Sequence, residues 1–333
     1  MKAVLCKEFG PPDTLVVEDV PSPHPGDGQV VIDVKACGVN FPDILIIENK
    51  YQFKPPLPFS PGGEVAGIVK EIGSGVENVQ IGDRVIATTG WGGFAQEALA
   101  EADKLIPLPP GLDDVTAAAI VFAYGTSIHA LKDRARLQAG ETLLVLGAAG
   151  GVGLAAVALG KVMGARVIAA ASSQEKLAVT RDHGADHTIL YPTGSLSREQ
   201  QKAFSNEVKS ATKGQGADVV YDPVGGDYSE PALRATGWQG RYLVVGFASG
   251  PIPHIPLNLV LLKGCQIVGV FWGAWSARNP SNNRANIEEV LDLCLSGKIK
   301  PYVSATYPLE RAHQALNDMA ARKVKGKIVV VTQ

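Results

Sequence analysis

The sequence predicts an α/β protein in which a β-rich domain is followed by a domain built on a doubly wound parallel sheet. Three observations lead to this prediction: an apolar run at 142–146 that enters a glycine-rich turn, a helical pattern from Leu154 to Met163, and a second apolar run from Arg166 to Ala171. A strand, a helix and a strand in this order form a βαβ unit, from which parallel sheets are built. The length of 333 residues fits two domains.

The glycine-rich turn has the pattern of a dinucleotide-binding site. Residues 148–153 read A-A-G-G-V-G, with alanine in place of the first glycine of the usual G-x-G-x-x-G. Gly150 lets the backbone approach a pyrophosphate, Gly153 lets the helix pack closely on the strand, and the helix N-terminus favours phosphate charge. A tight turn without a ligand is the alternative, but the complete βαβ context favours a nicotinamide dinucleotide.

The end of the second strand indicates which dinucleotide binds. NAD sites usually place Asp or Glu there to accept hydrogen bonds from the ribose 2′-hydroxyl, whereas this strand ends in Ala171-Ser172-Ser173. The two serines can donate to a 2′-phosphate, Lys176 can pair with its charge, and Tyr191 can close over the adenosine end. We therefore predict NADPH as the cofactor. The alternative is that the serines only cap the next helix, with Lys176 solvated on its surface.

The composition excludes several classes of partner. Lys and Arg number 31 and Asp and Glu 33, so the net charge of −2 offers no footprint for nucleic acid. No apolar run approaches the ~20 residues of a membrane span, and the N-terminus has no secretory pattern. The four cysteines are far apart and predict reduced thiols in a cytoplasmic protein; they are Cys6, Cys37, Cys265 and Cys294.

The β-rich part covers about the first 120 residues, where short apolar runs alternate with Pro/Gly turns. Strands are predicted over Val30–Lys35, Glu64–Ile72 and Arg84–Thr88. We expect residues 1–122 and 262–333 to form one domain and 123–261 the other, with the active site in the cleft between them. The later predicted elements are strands at 187–190, 218–222, 240–246, 267–271 and 327–332, and helices at 287–295 and 309–320.

Five segments spread along the chain match motifs of a known family. They are ACGVNFPD (36–43), PGGEVAG (61–67), VQIGDRV (79–85), AAGGVG (148–153) and GKIV (326–329). With them the chain resembles a zinc-independent medium-chain dehydrogenase/reductase of the NADPH:quinone oxidoreductase, ζ-crystallin-like, branch. The resemblance implies a GroES-like catalytic domain, a Rossmann domain that binds NADP(H), and commonly a homodimer.

Departures from the zinc-dependent relatives constrain the chemistry. Those relatives have a Cys ligand where this chain has Asn40, and a His-Glu pair where it has Gly63-Glu64. A catalytic zinc needs three His, Cys or carboxylate ligands, so we expect no metal. Alcohol oxidation depends on such a Lewis acid. The expected substrate is therefore already a good hydride acceptor, such as a quinone or an alkene conjugated to a carbonyl.

Asn40 and Tyr51 are the predicted catalytic residues, by resemblance and chemistry together. Each would donate a hydrogen bond to the oxyanion or enolate that develops on the acceptor. For Tyr51 the alternative is a surface aromatic beside the proline-rich loop at 55–58. Glu64 is expected to be a buried structural carboxylate, and none of the six histidines lies at metal-ligand spacing with another.

The remaining cofactor contacts are assigned by resemblance and by position at the carboxyl ends of the sheet strands, where ligands bind in such folds. Ordinary packing is the alternative for each of them. The predicted cofactor-binding residues are Asn40, Thr126, Ala149, Gly150, Gly151, Val152, Ser172, Ser173, Lys176, Tyr191, Gly246, Phe247, Phe271, Trp272, Gly273 and Lys325.

Three functions fit these residues. The first is NADPH-dependent hydride transfer to a quinone. The second is reduction of the activated C=C bond of an enone or an enoyl-CoA such as acryloyl-CoA, for which Arg278 and Arg284 would form a basic rim; Trp272 or Trp275 would line the acceptor pocket. The third is a non-catalytic NADPH-binding protein, crystallin-like or RNA-binding, and the net charge argues against RNA.

Overall fold

The computed structural model describes residues 1–332 and divides the chain into two compact units. The β-rich unit contains Met1–Phe122 and the chain from Pro301 onward, and the parallel-sheet unit is Ala123–Lys300. The strands are β1 (Lys2–Leu5), β2 (Val16–Asp19), β3 (Gln29–Gly38), β4 (Glu64–Ile72), β5 (Arg84–Thr88), β6 (Glu97–Glu101), β7 (Ile106–Pro107), β8 (Thr142–Val145), β9 (Arg166–Ala171), β10 (His187–Leu190), β11 (Ala217–Asp222), β12 (Thr236–Val244), β13 (Gln266–Gly269), β14 (Val303–Pro308) and β15 (Lys327–Val331).

Two short α-helices and a π-helical segment connect the β-rich unit to the first strand of the parallel sheet. Within the described chain, none of the helices combines the length and the apolar character that crossing a bilayer demands. The α-helices are α1 (Phe41–Ile47), α2 (Asp114–Ala117), α3 (Val121–Ile128), α4 (Gly151–Val162), α5 (Gln174–Asp182), α6 (Arg198–Ala211), α7 (Ser229–Arg234), α8 (Asn258–Lys263), α9 (Trp272–Arg278), α10 (Pro280–Leu295) and α11 (Ala312–Ala320), and the π-helical segment is His129–Arg134.

The β-rich unit is built on a seven-stranded sheet in the order β14-β15-β3-β4-β5-β7, with β6 also pairing with β3. Alternating residues of β3 face a core that includes Ile32, Val34 and Phe94. The C-terminal strand β15 pairs antiparallel with β3, where Val329 is opposite Gly38. This pairing places Lys327, the first residue of β15, beside the turn that follows β3.

The parallel-sheet unit contains six strands in the order β10-β9-β8-β11-β12-β13, and every pair is parallel. In chain order this is 3-2-1-4-5-6, the Rossmann arrangement. The central strands β8 and β9 are buried and apolar after their first residue, as expected where helices cover both faces of a parallel sheet. All six carboxyl ends meet at one edge, and the ligand position expected for this topology is beside β8 and β11, where the strand order reverses.

Residues 262–300 differ from the sequence prediction, which assigned them to the β-rich domain. β13 pairs with β12, with Arg241 opposite Gln266 and Val244 opposite Gly269, so this segment completes the parallel sheet and stays in that unit up to Lys300. The predicted strand at 267–271 also ends earlier, at Gly269. Trp272 begins α9 rather than ending a strand.

Candidate functional site

The glycine-rich turn connects β8 to α4 and leaves an open face at the helix N-terminus. Gly147 has a φ of +57°, and Gly150 is the extended N-cap residue of α4. A Cβ on Gly153 would overlap the Gly147 carbonyl and lie 2.9 Å from Cα of Ala148, whereas one on Gly150 would meet only the Gly147 oxygen, at 3.4 Å. Gly153 therefore allows close packing, and Gly150 presents free space beside the first-turn N–H groups of the helix.

A serine-lysine group, consisting of Ser172, Ser173 and Lys176, lies at the carboxyl end of β9. Ser173 is the N-cap of α5, and its hydroxyl oxygen accepts from the Lys176 N–H at 3.2 Å. Nζ of Lys176 lies 3.4 Å from Oγ of Ser172. All three are partly exposed, and the strand end between Ala171 and Ser173 contains no carboxylate. The group therefore brings a cation and two hydroxyls together at a partly exposed strand end.

A groove of about 410 Å³ opens next to the serine-lysine group. Tyr191 forms one wall, and its ring packs against Tyr228 at 4.7 Å and Phe204 at 6.2 Å between centroids. Its hydroxyl accepts from the Gly147 N–H at 3.2 Å. Tyr191 is thus largely buried and fixed to the glycine-rich turn. The groove is lined by Ser172, Leu190, Tyr191, Pro192, Gln200, Ala203, Phe204 and Glu207.

The loops after β11 and β12 are tied together at the same edge of the sheet. The N–H of Gly246 donates to the Asp222 carbonyl at 3.3 Å, and the Phe247 ring lies so close to Gly225 that a Cβ there would be 2.8 Å away. The buried carboxylate of Asp222 accepts from the Gly225 N–H at 2.9 Å and the Ser229 hydroxyl at 2.8 Å. Gly246 and Phe247 therefore lie in the loop after β12, since this strand ends at Val244, two residues earlier than predicted.

Thr126 and Trp272 lie on neighbouring helices, α3 and α9. A Cβ on Gly125 would be 3.0 Å from the Trp272 indole, which is buried and donates through Nε1 to Asn283 at 2.9 Å. Trp275 stacks on the buried His129 ring with centroids 4.0 Å apart. Both tryptophans thus have packing partners. Phe271, which is 49% exposed, and Gly273 remain accessible at the start of α9.

The β-rich unit holds a buried ion pair at the starts of β4 and β15. Glu64 is 0% and Lys327 4% exposed, and Nζ lies 3.1 Å from Oε2. The ammonium also donates to Oδ1 of Asn40 at 2.6 Å and to the Val39 carbonyl at 3.1 Å. The other oxygen of Glu64 accepts from the N–H of Phe122, in the first turn of α3, at 2.9 Å. The ammonium and both carboxylate oxygens of this pair therefore have hydrogen-bond partners inside the protein.

Asn40 is tied into the same network through every polar atom of its side chain. Nδ2 donates to Oε2 of Glu64 at 2.9 Å and to the Gly38 carbonyl at 3.2 Å, and the backbone N–H donates to Asp43 at 2.7 Å. An amide nitrogen has two hydrogens, so Asn40 has no further one to donate to a substrate. We call Asn40, Asp43, Glu64 and Lys327 the Lys327 cluster.

Two further titratable groups belong to this region: Asp43 within the Lys327 cluster, and Tyr51, whose pKa is influenced by the Asp43 charge. Burial raises the pKa of Asp43 to about 7, although the Asn40 N–H and the Lys327 charge act to lower it. Burial and the charge of Asp43 raise the pKa of Tyr51, whose side chain is partly buried and packs on the core of the unit. The phenol therefore keeps its proton and can donate a hydrogen bond. Lys325, two residues before Lys327, is partly exposed.

Comparisons with known proteins agree with this architecture. Residues 26–110 match the model of the alcohol dehydrogenase GroES-like domain, and residues 151–295 match that of zinc-binding dehydrogenases. The chain is 43% identical to the "quinone oxidoreductase-like protein 2 homolog" of Nematostella vectensis over 100% of this chain and 89% of that protein. The chain belongs to the quinone oxidoreductase family of medium-chain dehydrogenases/reductases.

Solved structures of similar proteins extend the likeness to the whole chain of this quinone oxidoreductase family member. The mycobacterial protein Rv1454c, complexed with NADPH, matches with a TM-score of 0.92 and 30% identity over 100% of both chains. The quinone oxidoreductase of Escherichia coli, also complexed with NADPH, matches with a TM-score of 0.88 and 27% identity over 100% of both chains. The predicted GroES-like and Rossmann architecture is confirmed.

The match to zinc-binding dehydrogenases raises the question whether zinc fits this family member. A Cβ on Gly63, the position at which the sequence resemblance implies a histidine in zinc-dependent enzymes, would be 2.9 Å from the Gly90 carbonyl. The adjacent Glu64 carboxylate is engaged by Lys327 and Asn40. Within residues 1–332, no group of three or more His, Cys, Asp or Glu is placed to hold a metal. The residues of the Lys327 cluster therefore do not fit a zinc ion.

Two residues of this site were not found from the sequence. Lys327 begins an otherwise apolar strand, and Asp43 lies in the first turn of α1; both are nearly inaccessible, at 4% and 2%. A lysine at the start of a buried strand is a usable signal, because lysine is almost never fully buried without a partner. Its partner Glu64 lies 263 residues away, a pairing that no local pattern indicates.

Proposed function

We propose that the chain is an oxidoreductase that uses NADPH to reduce a quinone without a metal ion. The observation that supports the cofactor most directly is the serine-lysine group at the end of β9, where a cation and two hydroxyls replace the carboxylate of NAD sites. The names of the family members support the quinone.

The carboxyl edge of the parallel sheet offers three places for NADPH. The open backbone at Gly150, Gly151 and Val152, with Ala149 buried behind it, would hold the pyrophosphate at the N-terminus of α4. Ser172 and Lys176 would bind the 2′-phosphate, and the groove walled by Tyr191 would take the adenine. The nicotinamide end is assigned to Thr126, Gly246, Phe247, Phe271, Trp272, Gly273 and Lys325.

When bound, NADPH supplies the hydride for the acceptor, and the protein supplies orientation and a hydrogen bond. Tyr51 is the group suited to that bond, because its raised pKa keeps the phenol protonated. The donors of Asn40 are both engaged within the Lys327 cluster. We therefore revise its predicted role from donor to positioning residue, and assign to Tyr51 the oxygen that becomes negative during reduction.

Reduction of an enone or enoyl-CoA is the second candidate, since the same phenol would stabilise an enolate. A CoA substrate needs cations for its phosphates, and Arg278 is exposed on α9 while Arg284 on α10 is partly exposed and faces Glu288 at 3.9 Å. These arginines favour the CoA form of the substrate over a simple enone.

We also propose a homodimer and a cytoplasmic location. β13 is the last strand of its sheet, and an edge strand presents unpaired N–H and C=O groups. Apolar side chains beside it are widely exposed, among them Trp238 at 71%, Leu257 at 74% and Leu261 at 80%. A second copy would cover this face, and Leu261→Lys should then shift the protein toward a monomer in sedimentation. The four free cysteines fit a reducing compartment.

The decisive experiment follows the loss of reduced-nicotinamide absorbance with NADPH and NADH in parallel. Benzoquinone, a simple enone and acryloyl-CoA serve as acceptors. The proposal expects catalytic oxidation of NADPH, faster than that of NADH, with benzoquinone ahead of the other acceptors. A clear lead for acryloyl-CoA would favour the second candidate. Tight NADPH binding with no oxidation by any acceptor would contradict both and support a non-catalytic role.

A further inference from the structure

Lys327 is a buried cation that has no role in the proposed reaction described above. Its ammonium makes three contacts at 2.6–3.1 Å, all within the protein, and its side chain is 5% exposed. Moving an ammonium out of water is costly, and a buried ion pair often contributes little net stability compared with apolar residues of the same size. Its contacts therefore need an explanation other than fold stability.

The contacts of Lys327 lead to the elements that carry the proposed functional groups. On one side it holds Oδ1 of Asn40, the residue from which α1 begins, and α1 is followed within four residues by Tyr51. On the other side it holds Glu64, whose second oxygen accepts from the Phe122 N–H in the first turn of α3. The carboxylate thereby satisfies an N–H at the start of the helix that contains Thr126.

The position of the ammonium gives these contacts a functional meaning. Asn40 and Gly63-Glu64 stand where the sequence places the metal ligands of zinc-dependent relatives, and zinc does not fit here. A single positive charge now lies within 3.1 Å of both Asn40 and Glu64. We propose that Lys327 is a positioning residue for the reaction: its ammonium takes the place of the metal cation and fixes Asn40 and Glu64, and through them α1 and the start of α3.

This role rests on the proposed function, and it makes a specific demand on charge. The methylene chain of Lys327 fills space, whereas only the ammonium can hold Asn40 and Glu64 at the same time. A neutral side chain of similar length should keep the packing and lose the positioning. The Lys327→Met variant separates these two contributions, and adding Glu64→Gln removes the buried negative charge that the first change leaves without a countercharge.

The experiment compares wild type, Lys327→Met, the Lys327→Met/Glu64→Gln double variant and Lys35→Met as the matched control. Lys35 lies on β3 and pairs with Asp33 at 2.8 Å outside the cluster. Thermal unfolding, NADPH affinity by fluorescence titration, and kcat and KM with the best acceptor are measured for each. We expect Lys327→Met to lower kcat about tenfold or more with NADPH affinity changed less than about twofold. The double variant should unfold at a higher temperature than the single one, and the control should match wild type.

Each outcome decides the proposal. A Lys327→Met protein with wild-type kcat would overturn it, because packing alone would then suffice. Equal losses in kcat and NADPH affinity would show a general structural defect and also overturn it. If the single variant fails to fold, a folded double variant supports the charge pairing, and a double variant that fails as well contradicts it. An inactive wild type would refute the proposed function instead, while the unfolding comparison would still test the pairing.

Discussion

The Lys327 cluster and the serine-lysine group use similar residue types in opposite ways. In the cluster, the ammonium has three partners within 3.1 Å and the side chains of Glu64 and Asp43 are at most 2% exposed. In the serine-lysine group, Lys176 is partly exposed, and the contact between its Nζ and Ser172 is 3.4 Å long. The Lys327 ammonium is enclosed by the protein, whereas the Lys176 side chain is partly exposed.

The difference indicates what each region is built to do. A cation whose hydrogen bonds are met inside the protein fixes its neighbours in place, because moving any of them leaves a buried charge without a partner. A partly exposed cation beside hydroxyl groups retains the capacity to bind an anion that arrives from solution. Substitutions in the cluster should therefore affect stability and turnover, whereas those in the serine-lysine group should affect the choice of cofactor.

The largest effect is expected for Glu64→Leu, which leaves the Lys327 ammonium buried without its carboxylate. Breaking a buried pair in this way typically costs about 3–5 kcal/mol of unfolding free energy. The control is Glu71→Leu, at the far end of the same strand, where the carboxylate is 41% exposed and should cost less than about 1 kcal/mol. Urea unfolding measures both free-energy losses. Equal losses would show that the buried pair contributes no more to stability than an exposed carboxylate does.

The Lys176→Ala variant tests the serine-lysine group. Loss of a charge-assisted bond to the 2′-phosphate, worth about 1.5–3 kcal/mol, should weaken NADPH binding by roughly 10–100-fold and leave NADH nearly unchanged. Lys209→Ala, on the exposed face of α6, serves as the control. Fluorescence titration with both nucleotides gives the ratio directly, and a parallel loss of NADH affinity would remove Lys176 from the phosphate site.

The Asp43→Asn variant tests the Lys327 cluster through the pH dependence of its unfolding free energy. The pKa of Asp43 is raised from 3.8 to about 7, so between these values the folded state binds its proton more tightly than the unfolded state. Its stabilising contribution is therefore fully present below about pH 4 and is lost as the pH rises through about 7. From pH 5 to 7 the wild type should lose about 2 kcal/mol more unfolding free energy than Asp43→Asn. The same pH slope in both proteins would refute the raised pKa.

Tyr51→Phe should have the smallest effect, confined to turnover. Removing one hydrogen bond of about 0.5–1.5 kcal/mol lowers kcat roughly three- to tenfold and leaves NADPH affinity and unfolding unchanged. Steady-state kinetics with benzoquinone measures the change. If kcat is that of wild type, the phenol does not contact the acceptor and the hydrogen bond must come from another group.

The sequence predicts the local parts of this fold well. Glu64–Ile72, Arg166–Ala171 and His187–Leu190 are observed with the predicted boundaries, because each is an apolar run bordered by turn residues. Residues 262–300 were assigned to the other domain, because nothing in a short apolar strand indicates which sheet edge it will join. β13 joins β12 through backbone hydrogen bonds, which do not depend on side-chain identity.

The sequence identified many residues of the candidate site but not the contacts between them. The motif around Gly150 and the serine-lysine group are local, so their chemistry is visible in the sequence. Asn40 was identified by position, but its two amide hydrogens are engaged by groups that only the fold brings near. Lys327 was missed for the same reason, since its ion pair with Glu64 connects the C-terminal segment of the β-rich unit to the N-terminal segment.

Metal-independent hydride transfer is tested most directly by NADPH oxidation with benzoquinone before and after dialysis against a strong metal chelator, with the zinc content measured on the same samples. If the Lys327 ammonium takes the place of the metal cation as proposed, chelation should not change turnover, and the zinc content should be far below one ion per chain. Turnover that is lost on chelation and regained with added zinc would contradict it.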